Sequence, residues 1–395
     1  MSFSFFKKKP TVSFVFDIRD ASISIAVAKF KTDEKPEIIL CQNFEFKYQE
    51  LKDYKKYISS MIETLDEAIF SIRKSLVKIN NKEKIGTHYF FIGSPWSISQ
   101  SKIIKIIKDK IFEINKNLLE KIISSEEIIF EKSLEEQTKK PDWKVLEEKI
   151  IVSKLNGYKI DNILGKKAVN LSLELFVSFT PSEIKNKLEY YIDKKIGKNI
   201  KRQNNSCILS SYSFLRDLYS DKNDFIYIDI GKLITDVYIV REDIIFNIAS
   251  FPFGEENIIQ TSLMKTNLSR DIFLSHINIG QDKKFELVSH NNGKDLLKSG
   301  FDIWENNLED ILSKICAETT PNNIFIITNS VISNILAKEL INKKNNKQFK
   351  ILNSKTEISI IEENILNNFI LNGNAFINEP YIKMDLIFLN KSLKS

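Results

Sequence analysis

FIYIDIGKLITDVYIV, residues 225–240, decides the fold of this chain. An apolar run ends in Asp229 and Ile230, turns at Gly231, and returns through Thr235 and Asp236 into a second apolar run. Short stretches of Ile, Val, Tyr and Phe on both sides of a glycine-bearing turn predict a β-hairpin. VSFVFDIRDASISIAVAKF, residues 12–30, reads the same way around the polar turn RDAS. Setting Asp17 against Asp229 aligns FVFDIRDASISIAV with IYIDIGKLITDVYI. This internal repeat, about half a chain apart, predicts two related lobes, each opening with an aspartate-tipped hairpin.

Residues 51–80 between the hairpins carry apolar side chains at helical spacing, and THYFFIGS, 87–94, reads as a buried strand. In FIGSPWSIS, Gly93 marks the exit from that strand and Trp96 a packing anchor. The charged stretch 100–140 is expected to be helical. Residues 147–181 alternate strand-like segments around the turn signals NGY and LGKKA, which suggests an inserted small α/β module. Helices are predicted over 181–197, with a proline in the first turn, and over 210–224. Beyond the second hairpin the chain reads as mostly helical to about 320. A buried strand over 322–340 then leads through Thr328, Asn329 and Ser330 into a helix. KQFKILNSK, 347–355, reads as a strand, ILNNFILNGNAF, 365–376, as a helix, and YIKMDLIFLNKSLKS, 381–395, as an alternating strand.

Composition narrows the function. The chain has 395 residues, 43% hydrophobic and 28% charged, enough for two to three domains with a sizeable core. Cys41, Cys207 and Cys316 lack the number and spacing of a disulfide framework or zinc site, and there are only 3 histidines. No apolar run reaches the ~18 residues of a membrane-spanning helix. MSFSFFKKKP places its apolar residues before its charges, the reverse of a signal peptide, so a cytoplasmic protein is expected. Residues 3–9, with Phe3, Phe5 and Phe6 before Lys7, Lys8 and Lys9, read either as a weak contact with the inner face of a membrane or as a solvated basic tail. The 58 basic residues are interspersed with 52 acidic ones, without a basic stripe, which argues against a nucleic-acid partner. With only 11 glycines, each glycine position is informative.

A tight turn between strands presents successive backbone N–H groups, a concavity suited to phosphate when glycine lets the backbone approach. Carboxylates at the strand tips suit Mg²⁺ held through its waters. Asp17 and Asp229 are therefore the metal candidates, with Asp236 beside them.

The chain resembles the actin-like ATPase superfamily, in its branch containing the cell-division protein FtsA and the type IV pilus protein PilM. DIGKLITD, 229–236, is similar to that superfamily's second phosphate motif, DIGGGTTD, at Asp229, Ile230, Gly231, Thr235 and Asp236. SSYSFL, 210–215, resembles the helix of FtsA before its second hairpin, and FPFGEENIIQ, 251–260, its IPYGG-type segment. LNGYKIDNILGKKAVNLSLELFVSF, 155–179, resembles the inserted SHS2-type subdomain of FtsA, and KKKP before the first hairpin is similar to PilM-like starts. Taken in order, these segments cover nearly the whole chain.

The resemblance implies an α/β, bilobal actin-like (RNase H-like) fold around a nucleotide cleft, with an inserted FtsA-type subdomain. Residues 10–97 and 182–224 would form the first lobe, 98–181 the insertion, and 225–395 the second lobe, with a mostly helical insertion at about 256–320. It further implies that ATP and Mg²⁺ meet Asp17, Arg19 and Ser22 of the first hairpin and Asp229, Gly231, Lys232, Thr235 and Asp236 of the second. Thr328, Asn329 and Ser330 would meet the adenine. Its partners would be proteins of a division or pilus machine, with self-assembly, a scaffold's role, and slow ATP hydrolysis at most.

The departures concern chemistry. Arg19 stands where the first motif has glycine, Lys232 and Leu233 replace two glycines of the second, and IFIITNSVIS has none of the paired glycines of the adenine motif. Two readings follow: a scaffold that binds Mg-ATP weakly, or a nucleotide-free interaction module of the same fold that binds a partner's cytoplasmic peptide.

Overall fold

A computed structural model describes residues 11–31, 33–78, 85–139, 142–197, 201–279, 293–316, 319–345, 355–372 and 379–393. The first hairpin is β1 (Thr11–Ile18) and β2 (Ser22–Phe30), followed by β3 (Glu37–Glu45), α1 (Tyr54–Lys78) and β4 (Ile85–Ile92). Next come β5 (Ile98–Glu113), α2 (Lys116–Thr138), β6 (Trp143–Leu155), β7 (Tyr158–Lys159) and β8 (Lys167–Pro181). The chain continues through α3 (Ser182–Lys195), β9 (Arg202–Ser206) and α4 (Cys207–Leu218) to the second hairpin, β10 (Phe225–Ile230) and β11 (Thr235–Arg241). There follow β12 (Ile244–Phe251), α5 (Glu255–Leu263), α6 (Arg270–Ile279), α7 (Gly293–Ile315), β13 (Asn323–Ile327) and α8 (Val331–Asn345). The last elements are β14 (Glu357–Ile361), α9 (Glu363–Asn367), β15 (Leu371–Asn372) and α10 (Pro380–Ser392).

The internal repeat is borne out by topology. One sheet runs β15-β3-β2-β1-β4-β9 and another β12-β11-β10-β13-β14. In each, three antiparallel strands are followed by two parallel ones, so β3-β2-β1-β4-β9 and β12-β11-β10-β13-β14 have the same order and directions. A third sheet, β5-β8-β6-β7, lies in the inserted segment with α2 against it.

Strand alternation then aims the two aspartates at each other. Phe14, Phe16 and Ile18 face the core built on α1, whereas Val15 faces the core between the two sheets. Asp17 shares the parity of Val15, and Asp229 that of Tyr227, which lies in the same intersheet core. Helices α4 and α10 fill that core.

Three expectations are corrected. Residues 98–113 form the long strand β5 where a helix was expected, and the helix begins only at Lys116, capped by the Asn115 side chain. Ile103, Ile104, Ile106 and Ile107 imitate helical spacing, but β8 pairs with that segment through Ile107. Conversely, residues 380–392 are a helix where a strand was expected. It is buried along most of its length, and two of its charged residues are internal: Lys383 donates to Asn367 Oδ1 at 2.7 Å and pairs with Glu363, and Asp385 accepts from Ser210 Oγ at 2.7 Å. Polar groups satisfied inside a core erase the amphipathic period that marks a helix. The helix expected over 365–376 is limited to α9, with β15 after it. The strand expected at 347–355 lies outside the described residues apart from Lys355.

Candidate functional site between the two hairpins

Arg19, in the turn of the first hairpin, closes the space between the aspartates. Its Nε donates to Asp17 Oδ2 at 3.0 Å and its Nη1 to Asp229 Oδ2 at 2.8 Å. The guanidinium lies over the Tyr381 ring, 3.4 Å from its centroid, and the Tyr381 hydroxyl donates to Asp229 Oδ1. Burial, reinforced by the Asp229 charge, pushes the Tyr381 hydroxyl well above its ordinary pKa, which keeps it a donor. The Arg19 backbone is fixed as well: its carbonyl accepts from Trp96 Nε1 at 2.7 Å, and the indole stacks on Tyr57.

Asp20, the next residue, crosses to the second hairpin. Its Oδ2 accepts the backbone N–H groups of Leu233 at 2.6 Å and Ile234 at 2.9 Å. Burial pushes the Asp20 carboxyl up, and those two donors oppose the shift.

Beside these contacts is a cavity of about 220 Å³. Asp17, Arg19, Ser22, Gly231, Lys232, Asn329 and Ser330 line it, so seven of the expected residues do converge. Asp229 stands behind Arg19. Thr235, Asp236 and Thr328 are not on the lining. Thr235 Oγ1 instead donates to the Phe253 carbonyl and accepts from Trp304 Nε1 at 2.9 Å. Asp236 accepts from Ser94 and Ser250, and burial, with Asp229 nearby, pushes its carboxyl up to about 6.

The sequence reading missed Asp20, Glu255, Glu379 and Tyr381. Glu255 accepts from Ser330 Oγ at 2.5 Å and Glu379 from Ser24 Oγ at 2.9 Å, and burial pushes both carboxyls to about 7. Only Asp20 left a signal, as an acid inside the first turn. Glu255, Glu379 and Tyr381 reach the cleft by tertiary packing.

The residues present do not fit magnesium triphosphate in this arrangement. A guanidinium stands between the two carboxylates expected to share the metal, and both are its hydrogen-bond acceptors. Among the described residues no group of three or more His, Cys, Asp and Glu could hold a metal ion. The turn amides of the second hairpin already have an acceptor. Lys232 pairs with Glu45 at 2.8 Å, and Glu255 and Glu379 add acid to the lining. The cavity is also smaller than the roughly 300–1,000 Å³ typical of small-molecule sites.

No family model matches this sequence, and no curated protein matches it. Solved structures do. The chain has the bilobal actin-like ATPase fold, shared at low identity with proteins of that superfamily. It is similar, at 10% identity and a TM-score of 0.58, to a structure described as the PilM-PilN type IV pilus biogenesis complex, over 97% of this chain and 98% of that one. A Bacteroides thetaiotaomicron protein described as having an actin-like ATPase fold and unknown function matches over 95% of both chains, with 9% identity and a TM-score of 0.46. The ethanolamine utilization protein EutJ from Carboxydothermus hydrogenoformans matches with 9% identity and a TM-score of 0.45, over 97% of this chain and 92% of that one.

Proposed function

We propose that this chain is a non-catalytic actin-like scaffold that binds a protein partner, its interlobe cleft held by its own side chains rather than by Mg-ATP. One observation supports this above all: Arg19 joins Asp17 to Asp229 with Tyr381 stacked against it. Four groups from three parts of the chain satisfy one another there. A nucleotide would have to displace a partly buried guanidinium from two buried carboxylates, leaving charges unpaired.

The likeness to the PilM-PilN complex supports a partner of similar kind, namely the cytoplasmic segment of a protein in a pilus or division machine. Residues 3–9 would add a weak contact with the inner face of the membrane. Among the described residues no helix is long and apolar enough to cross one. Liposome flotation of the full chain beside a truncation starting at Pro10 tests that contact, and equal flotation would remove it.

Thermal unfolding with and without millimolar Mg-ATP tests the central reading, since a ligand that binds only the folded state raises apparent stability. No shift is expected. A saturable shift that vanishes in Asp229→Ala would replace this reading with a nucleotide-binding scaffold.

A further inference from the structure

The N–H groups of Leu233 and Ile234 converge on one point, and the atom at that point is Asp20 Oδ2. Two amides converging in a tight turn make an anion site. Here the anion comes from the other hairpin, 213 and 214 residues away in sequence. The turn itself is fixed from behind, independently of Asp20. Glu255 N donates to the Gly231 carbonyl at 3.0 Å and Glu256 N to the Lys232 carbonyl at 2.8 Å, so the start of α5 grips the turn. Gly254 allows this grip, because a Cβ there would lie 2.5 Å from the Gly231 oxygen.

Gly231 supports the same conclusion. A Cβ at that position would stand 2.8 Å from Asp20 Oδ2 and 2.7 Å from the Ile234 oxygen. In this chain the glycine makes room for a carboxylate.

We infer that the 231–234 turn is a preformed oxyanion site whose resident ligand is the Asp20 carboxylate, and that it takes a phosphate group only when that carboxylate is removed. The inference rests on the reading that the cleft is closed by its own side chains. It adds that the second hairpin keeps its capacity for phosphate and is plugged. A carboxylate oxygen and a phosphate oxygen accept the same pair of N–H donors. Lys232 and Arg19 line the adjoining cavity but are already paired with carboxylates, so the two turn N–H groups carry the binding.

The test uses full-length protein, inorganic phosphate as probe, and chloride at matched ionic strength as control, read by thermal unfolding and by phosphorus NMR line width. Wild type is expected to show no phosphate-specific change. Asp20→Ala should have a lower midpoint in chloride, which phosphate raises by several degrees in a saturable manner, with broadening of the phosphate resonance. Asp20→Asn keeps a carbonyl oxygen for the two amides and should not respond. A folded Asp20→Ala protein indifferent to phosphate would overturn the inference, as would a wild-type response equal to that of the variant. Should Asp20→Ala not fold in chloride, its refolding yield in phosphate decides: a higher yield supports the site, an equal yield overturns it. Mg-ATP stabilising the wild type would defeat the proposed function, whereas a silent wild type with a silent Asp20→Ala defeats this inference alone.

Discussion

Arg19 Nη1 lies 2.8 Å from Asp229 Oδ2 although 210 residues separate them in the chain. Asp17 accepts from the same guanidinium, so one side chain joins the tips of both repeats.

Removing that guanidinium strands two buried carboxylates. Arg19→Ala should lose about 3–5 kcal/mol of stability, the usual cost of breaking a buried ion pair. Urea denaturation measures it. Arg19→Lys should recover only part, because an ammonium lacks the planar fork that serves two acceptors at once. An Arg19→Ala protein as stable as its parent would remove the bridge from this account.

Tyr381→Phe isolates one hydrogen bond. It keeps the ring beneath the guanidinium but leaves Asp229 Oδ1 without its donor, at an expected cost of about 1–3 kcal/mol. Tyr381→Leu should lose roughly 0.5–2 kcal/mol more through the cation–π contact. Identical unfolding midpoints for the two variants would mean that the stacking contributes nothing.

Stability should fall as pH rises from about 4.5 to about 7. Glu174 and Glu255 are buried, and desolvation raises each carboxyl from 4.5 to about 7. A carboxyl that binds its proton more tightly folded than unfolded adds stability that is complete below the unfolded pKa and is lost as pH passes the folded one. For each residue the swing is of order 3 kcal/mol, at 1.36 kcal/mol per unit. Glu174 accepts from Ser101 Oγ and from the Ile245 N–H, which joins β5 and β8 to β12. Glu174→Gln and Glu255→Gln should therefore flatten the fall between pH 5 and 8, and an unchanged pH profile would contradict the assignment.

Thr235 matches the motif residue of the second hairpin, yet its hydroxyl is spent on structure. Thr235→Val should orphan the buried Trp304 N–H and the Phe253 carbonyl and cost about 1–3 kcal/mol. Phosphate binding by an Asp20→Ala background should be untouched. Loss of that binding in the double variant, with folding intact, would return Thr235 to the ligand.

The sequence by itself determined the duplicated hairpins with an aspartate at each tip, and the resemblance of its motifs implied the actin-like fold. The hairpins rest on local alternation, on turn chemistry, and on a repeat visible on the page. Only tertiary structure decided what those aspartates do. Arg19 could be read as an obstruction to phosphate, but its bridge needs the tips of β1 and β10, in two different sheets, brought to face each other. Tyr381 and its helix were hidden because Lys383 and Asp385 are satisfied inside the core, which leaves no polar face to mark the period. Asp20 stood in plain view within the first turn. That its carboxylate fills the second is a fact of distance between segments some 213 residues apart, which no local pattern encodes.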